Sequence, residues 1–274
     1  MTSQILKVKI SYNDPSDFYE ICKKQIGKGG SGSVHRCTCK KSKKLFAVKI
    51  LYDGDDAENE IRVWSNIPPH PNVLALIEVF VWDEFVYAVM DLMSYSLTAI
   101  IPSPQRYMPM LPPKIILRII GNLISAMNHL HKYHIAHCDI KSENVLFDAN
   151  GVSTCHDEIH PNAPLIGTVW WNSPNSLNLE TASPMKDDIW SLAVTILELL
   201  GMDPPFFHIQ DRNQAFRCIK TLSTNPQLPN LKEYGEDFEI RMHKFLEVCF
   251  LMNPIERFSA EELFILFEMV FLKN

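Results

Sequence analysis

The chain has no apolar run of membrane-spanning length, no surplus of positive charge, and no C-x-x-C spacing among its seven cysteines. The first absence excludes a spanning helix. The second leaves no basic footprint for nucleic acid, since 26 Lys and Arg face 32 Asp and Glu for a net charge of −6. The third argues against a disulfide framework: an odd set of unpaired cysteines reads as reduced thiols, and so as a cytoplasmic protein. Cys37-Thr38-Cys39 is too closely spaced for a structural zinc knuckle. Internal repeats, low-complexity tracts and dividing linkers are also missing, so residues 1–274 are expected to form one domain with a substantial core. Met1-Thr2-Ser3-Gln4 opens neither a signal peptide nor a myristoylation site, and Phe271-Leu272-Lys273-Asn274 is no prenylation box. Neither nucleic acid nor membrane is therefore an expected partner; the oligomeric state is left open.

What the sequence does contain is concentrated in His137-Cys138-Asp139-Ile140-Lys141-Ser142-Glu143-Asn144. A carboxylate, a cation and a neutral amide lie within one short loop. Phosphoryl transfer uses that set: Asp139 to face an acceptor hydroxyl, Lys141 to offset charge on the migrating group, and Asn144 as an oxygen ligand for Mg²⁺. Upstream, Gly27-Lys28-Gly29-Gly30-Ser31-Gly32-Ser33-Val34 reads G-x-G-x-x-G-x-V. A dinucleotide fold would follow those glycines with a helix. Here Val34 to Cys39 alternates like a strand, residues 40–44 make a polar turn, and Leu45 to Ile50 is strand again. The glycines Gly27, Gly29 and Gly32 therefore belong to a hairpin of the kind that folds over phosphates.

Taken in order, these motifs resemble the protein kinase family. The loop resembles H-R-D-L-K-x-x-N, with Cys138 in place of Arg, and Ala47-Val48-Lys49 resembles V-A-I-K. The resemblance implies that Lys49 meets the ATP phosphates and is held by an acid of the next helix, either Glu60 or Glu58, with Glu60 preferred. It implies that Asp91 to Met93 is the hinge facing adenine, with Met90 behind the pocket and Val34, Ala47 and Leu146 around the ring. Those four apolar residues also read as ordinary core. Asp157, 13 residues after Asn144, falls where the family has the Asp of D-F-G and would share Mg²⁺ with Asn144; Glu158 and Ile159 replace the Phe and Gly. Gly167 to Asn175 resembles the end of an activation segment, with Thr168 facing Asp139 and Lys141. Asn175 replaces the Glu expected to pair with Arg257, so a buried Arg257 needs another acceptor. Asp188, in Asp188-Ile189-Trp190-Ser191-Leu192, would brace the catalytic loop from behind.

The implied fold is α+β and two-lobed: an antiparallel sheet with one helix near 57–66 up to about residue 92, then a larger helical lobe from about 93 to 274. Leu76 to Trp82 and Phe85 to Met90 read as a hairpin. Ile115, Ile116, Ile119, Ile120, Leu123, Ile124, Met127 and Leu130 fall on one helical face, and Ile189 to Leu200 is apolar nearly all round. The last helices are expected near 238–251 and 259–271. His129, His131, His134 and His137 invite a zinc reading, but they span a helix end and a loop and need not converge. Trp170-Trp171 is expected to pack against the large lobe.

Two functions remain in contention. The first is an ATP- and Mg²⁺-dependent protein Ser/Thr kinase. The second is a pseudokinase, a kinase-shaped nucleotide-binding or scaffolding module, because Glu158 would enter the apolar column with Trp64, Leu76 and His137. Every group expected to touch ATP, metal or hydroxyl is present, which favours the enzyme. Residues 157–167 contain no Ser, Thr or Tyr, and Cys138 lacks the charge that would hold a phosphate. Activity is therefore expected to be independent of phosphorylation in that segment.

Overall fold

The computed structural model describes residues 8–28, 32–52, 54–101, 110–148, 168–177 and 182–272, and the backbone of 151–154. Among these, six strands form one sheet: β1 (Lys9–Ser11), β2 (Tyr19–Lys28), β3 (Gly32–Cys39), β4 (Leu45–Tyr52), β5 (Leu76–Trp82) and β6 (Phe85–Asp91), in the spatial order β1-β5-β6-β4-β3-β2. The pairings from β2 to β6 are antiparallel, in line with the expected sheet. β1 adds a parallel partner to the β5 edge, which the sequence did not foretell.

β4 shows why the sheet has two distinct faces. Successive strand side chains point to opposite sides, so Ala47 and Leu51 join an apolar cluster with helix α1 (Asp55–Ser65), while Val48 joins a second cluster on the outer face. α1 starts with Asp55, Asp56 and Glu58 in its first turn, where carboxylates complement the helix dipole. Its buried residues Ala57, Glu60, Ile61 and Trp64 repeat at helical spacing and turn one stripe to the sheet. Trp64 Nε1 donates to the Leu74 carbonyl at 2.9 Å, tying the end of α1 to the chain that enters β5.

The short strands β7 (Tyr95–Ser96), β8 (Val145–Asp148) and β9 (Gly151–Thr154) form a second sheet beneath the first. Helix α2 (Pro113–Lys132) begins with Pro113, whose missing N–H costs nothing in a first turn. Its stripe from Ile116 to Leu130 is buried as expected, but Ile115 is 39% exposed: the docked stripe begins one residue later. α3 (Pro184–Leu199) is buried on all sides from Asp187 onward. α4 (Arg212–Lys220), α5 (Glu236–Cys249) and α6 (Ala260–Phe267) complete the helical lobe, and the main core gathers residues of α2, α3, α5 and α6. Gly121 permits the α2–α6 contact, because a Cβ there would lie 3.0 Å from the Phe267 ring.

The bond from Trp64 to Leu74 is testable. Trp64→Phe keeps an aromatic ring but orphans the Leu74 carbonyl, and is expected to cost about 1–3 kcal/mol with the fold retained. Urea unfolding measures it; an unchanged midpoint would show that the bond contributes nothing.

Candidate active site

Lys49 and Glu60 are buried to 1% and 3% side-chain exposure, and Lys49 Nζ lies 3.0 Å from Glu60 Oε1. Glu58 is exposed, so the geometry favours Glu60 of the two acids. The pair spans β4 and α1. Taking both charges out of water costs about as much as their attraction returns, so such a pair fixes position more than it adds stability.

Below it, the loop at 137–144 hangs from α3. The Asp188 carboxylate accepts the backbone N–H groups of His137 and Cys138, each at 2.8 Å, and contacts His131 Nε2 at 2.8 Å. Cys138 has φ 65, a left-handed conformation that a non-glycine residue holds only when its surroundings impose it. The two hydrogen bonds on either side of that peptide supply the constraint, and the turn aims Asp139 forward.

Asp139 is 7% exposed, and four donors converge on its carboxylate. Lys141 Nζ and Asn144 Nδ2 reach Oδ2, each at 2.8 Å; the Thr168 N–H and hydroxyl reach Oδ1, each at 3.0 Å. Lys141 Nζ also donates to Thr168 Oγ1 at 2.8 Å. Burial alone raises the Asp139 pKa. The Lys141 ammonium, with His137 and the Thr168 bond, outweighs it and holds the carboxyl below its usual value. The sign follows: ionised Asp139 stabilises the fold above the unfolded carboxyl pKa, and the contribution fades as pH falls through the lower folded value. Asn144 spends its amide nitrogen on the carbonyl and carboxylate of Asp139, which leaves its oxygen as the atom suited to a hard cation.

Val34, Ala47, Met90, Met93 and Leu146 all belong to the apolar cluster on the inner face of the sheet. Asp91 ends β6 with an exposed side chain 3.3 Å from Lys44 Nζ. At Gly27 a Cβ would make ordinary contact with Val34, but at Gly32 it would fall 2.1 Å from the Ile50 carbonyl oxygen. Packing within the hairpin is thus reason enough for glycine at 32. Gly29, Asp157, Glu158 and Ile159 lie outside the described residues.

Other expected residues settle apart. His129 bonds the Pro68 carbonyl and stacks on His70, His131 turns to Asp188, and His137 sits in the loop, so these rings do not share a centre. Trp170 donates to the Ile209 carbonyl and packs edge-on against Phe207.

Two buried acids of α3 were missed by sequence reasoning. Glu198 accepts the Ser142 hydroxyl at 2.6 Å, the Ser142 N–H at 3.2 Å and Trp171 Nε1 at 2.8 Å, joining the loop at 137–144 to the segment that carries Thr168. Burial raises its pKa against those three bonds. Asp187 answers the question left by Asn175. Arg257 is fully buried and donates to the Leu251 and Lys186 carbonyls, each at 2.9 Å, to Asn175 Oδ1 at 3.1 Å and to Asp187 Oδ1 at 3.3 Å. Asp187 also takes the Ser173 hydroxyl and the Ser183 N–H. The acid that balances Arg257 thus sits on the helix and not at the end of the segment. The available signal was two adjacent Asp residues opening an apolar helix.

A family model described as the protein kinase domain matches residues 20–265. The chain is 29% identical to the serine/threonine-protein kinase max-2 of Caenorhabditis elegans, over 94% of the chain and 40% of that protein. It is 28% identical to the serine/threonine-protein kinase CLA4 of Candida albicans, over 94% of the chain and 27% of that protein. Against the serine/threonine-protein kinase PAK mbt of Drosophila melanogaster it is 27% identical, over 94% of the chain and 40% of that protein. The chain spans less than half the length of these relatives.

The Arg257 cluster predicts a measurable cost. Asp187→Asn removes its nearby charge and is expected to destabilise the protein by about 3–5 kcal/mol. Adding Asn175→Glu should recover part of that loss. Denaturant unfolding of the single and double variants tests it, and an Asp187→Asn midpoint equal to wild type would contradict it.

Proposed function

The chain belongs to the protein kinase domain family, and we propose that it transfers the γ-phosphoryl group of ATP to a Ser or Thr hydroxyl of a protein. The observation that carries this reading is the Asp139 cluster, where Lys141 and Thr168 bind both the carboxylate and each other. Lys49, fixed by Glu60, is the cation for the ATP phosphates, and the apolar cluster around Ala47, Met90, Met93 and Leu146 is a surface for adenine. Gly27 and Gly32 bring backbone N–H groups over the phosphates, with Gly29 proposed beside them, and Asp91 offers backbone groups at the hinge. Mg²⁺, when bound, would offset phosphate charge; Asn144 and Asp157 are the proposed ligands.

The four donors on Asp139 match the four lone-pair sites of a carboxylate. An incoming hydroxyl must therefore displace one of them. The Thr168 hydroxyl is the least costly to move, because its own N–H keeps its place on Asp139 and Lys141 remains bonded to the carboxylate. Asp139 then orients the hydroxyl and receives its proton as the phosphorus–oxygen bond forms, and Lys141 faces the charge on the transferred group. Positioning and electrostatics carry most of the barrier reduction in such a site. The cytoplasm is the proposed location.

Asp139→Ala should lower transfer to a generic protein acceptor by roughly 10²- to 10⁴-fold. Mg²⁺-ATP at about 100 times its dissociation constant should still add ~2.7 kcal/mol of stability to that variant. Lys49→Met should weaken the ATP effect as well. Equal background phosphorylation by wild type and Asp139→Ala would favour the scaffolding alternative. Phosphatase treatment should leave activity unchanged; a large loss restored by phosphorylation within 157–175 would refute independence from activation-segment modification.

A further inference from the structure

The outer face of the larger sheet, opposite the side that carries Lys49, is buried around Val48, Phe80 and Val89 and exposed at Tyr52 and Trp82. At the buried part, Tyr19 lies edge-on to Phe46 and Phe80 at centroid distances of 6.0 and 5.9 Å, and Phe18 lies 5.4 Å from Phe80. Cys37, Val48, Phe80 and Val89 are buried there. Toward the β5–β6 turn the cover thins: Ile50 and Tyr87 still pack against that cluster, whereas Tyr52 and Trp82 are exposed. Tyr52 on β4 pairs in register with Phe85 on β6, which pairs in turn with Trp82 on β5. One step along, Ile50 pairs with Tyr87. These five side chains share one face by the strand period. Tyr52 is 77% exposed and Trp82 43%, and the Phe85 ring lies tilted against Tyr52 at 5.1 Å and edge-on to Tyr87 at 6.3 Å.

A contiguous aromatic patch of this kind marks an interaction site, and Tyr and Trp supply most of the energy at such surfaces. Its rim is acidic. Asp83 and Glu84 form the two-residue turn between β5 and β6, with φ 50 and 63, and so project at the edge of the patch. Burial and then the charges of Asp14 and Asp83 raise the Tyr87 phenol. Lys44 is spent at the covered end, against Asp91 and over the Phe46 ring.

We propose that the face formed by Ile50, Tyr52, Trp82, Phe85 and Tyr87 docks a peptide segment of a partner protein that combines aliphatic side chains with lysine or arginine. Apolar side chains lie on the aromatic rings, and the cations meet Asp83 and Glu84. The same charges disfavour the obvious alternatives. A second copy of this chain carries a net charge of −6 and brings the same acids to the contact. An anionic lipid surface is repelled. The site is separated from the phosphoryl-transfer cleft by the thickness of the sheet, so its occupation does not depend on that cleft being active.

The test uses the 274-residue chain and a short fluorescent peptide alternating leucine and lysine, with a glutamate-for-lysine counterpart. Fluorescence anisotropy should show the cationic peptide binding at least about tenfold more tightly than the counterpart, a difference of about 1.4 kcal/mol. Tyr52→Ser with Phe85→Ser should weaken it about tenfold. Asp83→Asn with Glu84→Gln preserves the turn and the rings and should erase the preference for the cationic peptide. Melting temperature and phosphoryl transfer should match wild type in both variants. Equal binding of the two peptides, or binding indifferent to both variants, would overturn the proposal. So would self-association that the Tyr52→Ser, Phe85→Ser chain loses, which would assign the face to a second copy.

Discussion

The site depends on one buried carboxylate, Asp188, which is 1% exposed and accepts the two successive peptide N–H groups that lead into Asp139. Without it, Cys138 would have no reason to hold a left-handed conformation, and Asp139 would lose its direction. Asp188 belongs to a pattern. α3 is apolar nearly all round, yet it carries three buried acids, and each clamps a different piece of chain. Asp187 holds Ser173, Ser183 and Arg257; Asp188 holds the start of the loop at 137–144; Glu198, about 15 Å further along the helix, holds the end of that loop and Trp171. An isolated carboxylate would not survive this burial. Each persists because it satisfies two or three donors that would otherwise be orphaned in the same interior. The helix is thus a rigid post, and its acids are the points from which the loops hang.

The exchange around Arg257 follows the same logic. A fully buried guanidinium needs acceptors for its donors and a nearby negative charge. Here backbone carbonyls and the Asn175 amide supply most of the acceptors, and Asp187 supplies the charge. Burial pushes both partners toward their neutral forms, lowering Arg257 and raising Asp187, so the pair is held by geometry more than by net attraction. Segment 168–177 is consequently fastened through neutral groups of its own, Trp171 and Ser173 to acids of α3 and Asn175 to Arg257. Its placement relies less on an ion pair at its own end than the motif alone implied.

How much of this was legible in the sequence depended on how local the chemistry is. Asp139, Lys141 and Asn144 lie within six positions, so their meeting required only a tight loop. Lys49 named its partner to within two acids of one helix, and burial favoured Glu60 over the exposed Glu58. The periods of α2 and α3 were clear because long apolar stripes leave little choice. β1 was not visible, since three residues carry no period and its partner strand lies far along the chain. Asp187 and Glu198 were passed over because an acid in an apolar helix has no local signature of being paired; Glu198 meets Ser142 across 56 residues. Only the folded chain reveals such partners.

The same locality explains how β4 serves two purposes. Period-two alternation sends Lys49 into the cleft and its neighbour Ile50 to the outer face, with Tyr52 two residues on. The two faces therefore share one backbone but no side chains. That backbone is fixed on both sides, since Lys49 lies opposite Val34 of β3 and Ala88 of β6 in unbroken register. A ligand pressing on the outer rings meets a strand held by both neighbours, so Lys49 stays in place while the outer face is free to diversify. The chemistry of the cleft is over-determined by buried pairs, whereas the outer face is constrained only by packing at its buried part. On the proposal that the outer face docks partners, specificity can therefore change on one side of a strand without altering the geometry around Lys49 on the other.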